Sequence, residues 1–233
     1  MQWAVLFRQS IMPRLLALHG DNGDASKLSE QLAPMTNALT SALGATFTFA
    51  VAPHARPGAP ECVRRWYTDE WHQDASSLST TLAAIDSVWR DSGHFDGLLG
   101  YSAGANLAAA IAAQPRRFPG LRFVILASPP YRPTPTDWAA PAEVAVPISV
   151  PTLHLLSPQD QKVPIAWSQN FLRDFFDAAS SEAYTHPLGH RVPTRPPDLD
   201  VVISFVRRHA DGDAAPFSLF SSASASCEVN EPA

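Results

Sequence analysis

A chain of 233 residues, 45% hydrophobic and 17% charged, has the length of one ordinary domain and is too apolar for wholesale disorder. Its net charge of −5 argues against nucleic acid or an anionic membrane as partner. Two cysteines, Cys62 and Cys227, cannot frame a disulfide-built fold and suit a reducing compartment. The 22 prolines point to long ordered loops rather than a helical bundle.

Residues 1–12 read as an N-terminal extension. The apolar stretch Trp3 to Phe7 is too short for a signal peptide, and Met12 offers a second start. No apolar run reaches the roughly 18 residues of a membrane span, so a cytoplasmic location is expected. The domain itself is expected over residues 13–210. Residues 211–233, rich in Ser and Ala, read as a disordered tail.

Within the domain, short apolar runs alternate with helical patterns. Strands are expected at 15–19, 46–51, 95–101, 121–127 and 152–156, and a weaker one at 182–186. Near-continuous apolar runs of this length suit strands buried on both faces of a parallel sheet. Helices are expected at 78–90, 103–113, 164–178 and 197–209. A further helical stretch at 26–43 is the least regular, because Pro34 interrupts it. This alternation predicts an α/β fold: a mostly parallel, doubly wound sheet flanked by helices, with right-handed crossovers and no large cap domain.

Gly100-Tyr101-Ser102-Ala103-Gly104 matches G-x-S-x-G between a predicted strand and a predicted helix. So sharp a turn strains the serine backbone, and flanking glycines remove the Cβ atoms that would clash. Ser102 is the candidate nucleophile; its other reading is a simple helix N-cap. A serine needs a general base, expected after the last strand. Of the later histidines, His154 sits in an apolar strand as a satisfied core residue, His209 ends a helix and His186 closes a strand. His190, after the flexible Gly189, is therefore the candidate base. Asp160, in the turn after the fifth strand, is the candidate acid that would fix the imidazole tautomer. Asp198 and Asp200 are fallbacks in the wrong chain order. The expected oxyanion donors are the backbone N–H groups of Ala103 and of Asp21, the latter in the His19-Gly20-Asp21-Asn22-Gly23 loop.

Two loops are expected to wall the acyl pocket: residues 53–74, with Trp66, Tyr67 and Trp71, and residues 129–151, with Tyr131. Arg64 and Arg65 read either as solvated surface charge or as contacts for a phosphate.

The blocks Leu16-Ala-Leu-His19-Gly20, Ala52-Pro53-His54, Phe95-Asp-Gly-Leu-Leu-Gly-Tyr-Ser102-Ala-Gly-Ala105, Arg122-Phe-Val-Ile-Leu126, Pro151-Thr-Leu-His154, Asp160 with Val163-Pro164, and His186-Pro-Leu-Gly-His190-Arg-Val-Pro193 are collinear. Together they resemble the eukaryotic "family of serine hydrolases" (FSH) domain over about Pro13 to His209. The resemblance implies an α/β-hydrolase fold, a Ser102–Asp160–His190 triad and no cofactor or metal. It implies a small-molecule ester or acyl thioester substrate, as for esterases and thioesterases. It also suggests an acyl carrier protein as partner, since several similar fungal proteins serve polyketide pathways. Tyr101 and Ala103 stand where the family usually has Phe and Gln, and Leu188 where it has Gly; Tyr101 and Leu188 are accordingly expected at the acyl pocket. Acyl transfer or cyclisation on the same triad is the alternative chemistry, and a non-catalytic binding module the alternative class.

Overall fold

A computed structural model describes residues 12–68, 75–131 and 144–210. All but Met12 of the expected extension over residues 1–12, and the whole of the expected tail from residue 211, lie outside them. Six strands form the central sheet: β1 (Arg14–Leu18), β2 (Thr46–Phe49), β5 (Gly97–Tyr101), β6 (Phe123–Ala127), β7 (Thr152–Leu156) and β8 (Ser181–Thr185). Their order is β2-β1-β5-β6-β7-β8 and every pairing is parallel. The four inner strands are buried along almost their whole length, which is why they read as unbroken apolar runs. The two edge strands are half open to solvent, so β8 carries only a weak apolar signal.

Helices α1 (Ala25–Leu43) and α5 (Pro196–Ala210) cover one face, while α2 (Ala75–Asp91), α3 (Ala103–Ala112) and α4 (Ile165–Phe175) cover the other. Helix α1 runs straight through Pro34, against the expectation of an interruption. Its buried stripe Leu28, Leu32, Met35 and Leu39 contributes about 1.5–3 kcal/mol per large side chain. That outweighs the roughly 3 kcal/mol of an interior proline, whose ring here faces solvent. Asp24 caps the helix, accepting from the Ser26 N–H at 2.8 Å, and Gly44 closes it at φ 66°.

One element escapes the sequence pattern. His54–Ala55 (β3) and Arg64–Arg65 (β4) form a small antiparallel ribbon inside what reads as a loop. No helix among the described residues is long and apolar enough to cross a membrane.

The chain leaves β1 outward to β2, then crosses back to β5 on the other side. In an open α/β sheet, such a reversal of strand order opens a crevice at the carboxyl ends of the strands. Candidate residues from β1, β5, β7 and β8 all emerge at that end.

Among the described residues, three histidines are buried: His19, His154 and His186. His154 is not the satisfied core residue expected; neither ring nitrogen meets a partner among the described residues, and the ring packs edge-on against Phe176. Burial lowers all three pKa values, that of His154 to about 3. A lowered folded pKa means that the unfolded chain binds protons the folded one refuses, so stability rises with pH there. Melting temperature is therefore expected to fall as pH drops below about 6.5, well before carboxylates titrate. His154→Leu should remove part of that fall in a pH series of thermal melts; an unchanged slope would refute the assignment.

Candidate active site

The turn from β5 into α3 holds Ser102 at φ 53°, ψ −119°, a conformation that costs about 1–3 kcal/mol for a non-glycine residue. The surroundings enforce it. A Cβ on Gly100 would sit 2.5 Å from the Gly104 carbonyl oxygen, and one on Gly104 would run into the Leu18 and His19 carbonyls. The Ser102 N–H donates to Ala127 O at 2.9 Å, which ties the turn to β6. The Ser102 side chain makes no capping hydrogen bond, so its reading as an N-cap does not describe this turn.

Asp160 and His190 meet at 2.8 Å, through Oδ2 and Nδ1. The carboxylate is buried, and its Oδ1 accepts the Val163 N–H at 2.8 Å and the Lys162 N–H at 2.9 Å. Burial alone would raise the Asp160 pKa, but the Val163 N–H, His190 and the nearby Ser128 hydroxyl outweigh it and hold the group below the usual carboxylate range. The buried Ser128 hydroxyl makes no hydrogen bond among the described residues and acts on Asp160 by proximity. Asp198 accepts from the Tyr184 hydroxyl at 2.8 Å and Asp200 is exposed; neither pairs with His190.

Two further ties fix the histidine loop. The Gly189 N–H donates to Ser157 Oγ at 3.0 Å, with Gly189 at φ 68°. The Tyr101 hydroxyl donates to the His190 carbonyl at 2.8 Å. Leu188 is half-buried in this loop, its N–H turned to His186 Nδ1 at 3.3 Å.

The loop after β1 passes directly over the nucleophile turn. A Cβ on Gly20 would lie 3.3 Å from the Tyr101 ring and 3.4 Å from Ser102 Cβ. The next residue, Asp21, is held at its side chain by Arg65 at 3.4 Å and by Asn22 at 2.8 Å. Strand β4 also clamps the loop backbone, with Arg64 N–H donating to Gly23 O at 2.9 Å. On the other side of the turn, Ala103 opens α3, and the first N–H groups of a helix have no intrahelical acceptor.

Several expected pocket walls are engaged in the scaffold. Trp66 has no exposed surface and Tyr67 almost none, so neither lines an open pocket. Trp66 is a scaffold residue: it stacks on His19 at 4.6 Å between centroids and its indole N–H donates to the His19 carbonyl at 2.7 Å. The buried Thr81 hydroxyl in turn donates to the Trp66 carbonyl at 2.5 Å. Tyr131 packs on Phe175 and donates to Asp174 at 3.2 Å, which pins it to α4. Trp71 lies outside the described residues. Arg64 and Arg65 are neither free surface charges nor open anion contacts. The Arg64 guanidinium donates to the Ala52 and Pro53 carbonyls, and that of Arg65 is spent on Asp21 and the Thr68 carbonyl. Sequence reading missed this clamp, because two-residue strands carry no periodicity to detect. Among the described residues, no three His, Cys, Asp or Glu side chains gather as a metal site.

Comparison with known proteins places this geometry in context. The family model described as "Serine hydrolase (FSH1)" matches residues 9–202. The chain is 33% identical over 139 residues to a Bos taurus protein named "Esterase OVCA2", covering 58% of this chain and 57% of that one. It is 32% identical over 162 residues to an uncharacterised hydrolase of Schizosaccharomyces pombe, covering 65% of this chain but only 34% of the relative. The chain thus spans about half or less of these two relatives. With the Mus musculus "Esterase OVCA2" it shares 30% identity over 178 residues, 68% of this chain and 74% of the relative. Among solved structures, esterase PE8 superposes with a TM-score of 0.65 at 22% identity, over 86% of this chain and 94% of that one. A carboxylesterase from Mesorhizobium loti gives 0.61 at 21% identity, over 84% and 88%. At such identities the structural likeness speaks for the fold, which is that of α/β-hydrolases.

Proposed function

We infer that this chain, which belongs to the FSH1 family of serine hydrolases, cleaves a carboxylic ester through an acyl–Ser102 intermediate. The observation that carries the reading is the buried Asp160–His190 contact of 2.8 Å at the sheet end where Ser102 sits strained and uncapped. In this reading Ser102 Oγ attacks the ester carbonyl while His190 Nε2 takes its proton. Asp160, kept ionised by the Val163 and Lys162 N–H groups, holds His190 with its proton on Nδ1. The Asp21 and Ala103 N–H groups receive the oxyanion; such a donor is worth about 3–4 kcal/mol at the transition state. His190 then returns the proton to the leaving alkoxide, and the alcohol departs. A water molecule, deprotonated by His190, cleaves the acyl-enzyme and regenerates Ser102.

The chemistry of an ester and of a thioester differs here only in the leaving group. The names of the relatives favour the ester. A carrier-protein thioester is the finer reading, but both arginines that would meet a carrier's phosphate are already engaged by Ala52, Pro53, Asp21 and Thr68. A cytoplasmic setting agrees with the exposed free thiol of Cys62.

The test is turnover of matched p-nitrophenyl esters and acyl thioesters of two to ten carbons, before and after a fluorophosphonate. Ester turnover abolished by one equivalent of covalent probe is expected. A folded protein with no turnover and no adduct would sink the reading and leave a binding module. Preferential transfer of the acyl group to an added alcohol would move the assignment to an acyltransferase.

A further inference from the structure

We propose that Tyr101 is a positioning residue for His190, acting through the hydrogen bond from its phenol to the His190 backbone carbonyl. The proposal rests on the triad reading above. Tyr101 ends β5, so its backbone runs directly into the strained Ser102. From there its ring reaches across the sheet end. The hydroxyl donates to His190 O at 2.8 Å, and the ring lies 5.1 Å from the imidazole, centroid to centroid, tilted by 44°. The face toward the loop after β1 is filled by Gly20, where even a Cβ would come within 3.3 Å of the ring. One side chain therefore touches three parts of the site: the nucleophile turn by covalent continuity, the base by a hydrogen bond and the oxyanion loop by packing.

Its hydroxyl is committed. Burial, with the Asp160 carboxylate near it, pushes the Tyr101 pKa up to about 12 despite the opposing charge of Arg191, so the phenol remains a donor at every working pH. The contact with Asp160 fixes one nitrogen of the imidazole, and where the other nitrogen lies depends on where the loop holds the His190 backbone. The Tyr101 hydrogen bond sets that backbone position. Small losses of alignment between base and nucleophile cost rate rather than binding. Tyr101 is thus a different kind of residue from the pocket wall expected from sequence.

Tyr101→Phe keeps the ring and its packing on Gly20 and removes only the donor. One such bond lost should lower kcat about five- to tenfold, with KM and the chain-length preference unchanged. The bimolecular rate of fluorophosphonate labelling should fall by the same factor. If the tyrosine acts through His190, adding Tyr101→Phe to His190→Ala should leave the residual labelling rate unaltered. An unchanged kcat with a lowered melting temperature would make the hydroxyl merely structural and overturn the proposal. So would a shifted chain-length preference at constant kcat, which would return Tyr101 to the pocket. A His190→Ala variant as active as wild type would remove the triad reading itself, a failure distinct from a silent Tyr101→Phe beside a crippled His190→Ala.

Discussion

Ser102→Ala is expected to reduce ester turnover by about 10⁴- to 10⁶-fold and to abolish fluorophosphonate labelling. What survives would be the contribution of the oxyanion donors and of substrate binding, which act without the nucleophile. The fold should survive, because the Ser102 hydroxyl caps nothing and the turn is held by backbone contacts to β6 and by the two glycines. A control separates strain from chemistry. Ser102→Gly is equally without a nucleophile but has no Cβ to strain at φ 53°. Relief of about 1–3 kcal/mol, less the roughly 0.5–1 kcal/mol that glycine costs in the unfolded chain, predicts a melt a few degrees above that of Ser102→Ala. Equal turnover in wild type and Ser102→Ala would eliminate the acyl-serine mechanism.

That strain is the reason the candidate nucleophile is legible in sequence at all. Gly100 and Gly104 are required because backbone atoms occupy the space of their missing Cβ atoms, and such a requirement leaves a local spelling. The inner strands are legible for a related reason: burial on both faces demands unbroken apolar residues. Asp160 and His190 follow from chain order in this architecture, each coming just after a strand that could be located.

Legibility ends where contact is long in sequence and short in element. Trp66 reads as an aromatic in a loop, with nothing to say that its indole N–H meets the His19 carbonyl 47 residues away. Arg64 and Arg65 read as surface charge or phosphate contacts, yet their guanidinium groups donate to Ala52, Pro53, Asp21 and Thr68. Their placement depends on the β3–β4 ribbon, whose four residues give no pattern. Pro34 misleads in the opposite direction: a local penalty was visible, while the buried stripe that outweighs it depends on α1 packing against the sheet. Tertiary contacts, not local preference, decide each of these cases.

Asp160→Asn is expected to lower kcat/KM about 10³- to 10⁴-fold at neutral pH while leaving the protein folded, a loss of the size seen when a triad carboxylate is made an amide. The reason lies in the two backbone donors. The Lys162 and Val163 N–H groups both point at one oxygen of residue 160, so an asparagine must place its carbonyl there. Its NH2 group is then turned toward His190 Nδ1, where the carboxylate oxygen stood at 2.8 Å. Two donors cannot face each other, so the imidazole gives up its Nδ1 proton and carries it on Nε2. The nitrogen that should accept the Ser102 proton is thereby occupied. In the wild type, the depressed Asp160 pKa keeps the carboxylate charged below the usual carboxylate range. The acid limb of its kcat/KM profile should therefore follow a single proton, with a slope of one. The same depression gives stability that is present above the unfolded carboxylate pKa near 3.9 and lost as pH falls through the folded value; Asp160→Asn abolishes that dependence. A variant retaining a tenth or more of wild-type kcat/KM would show that His190 does not depend on Asp160 for its tautomer, and a wild-type acid limb of slope two would show that the carboxylate is not held charged below its usual range.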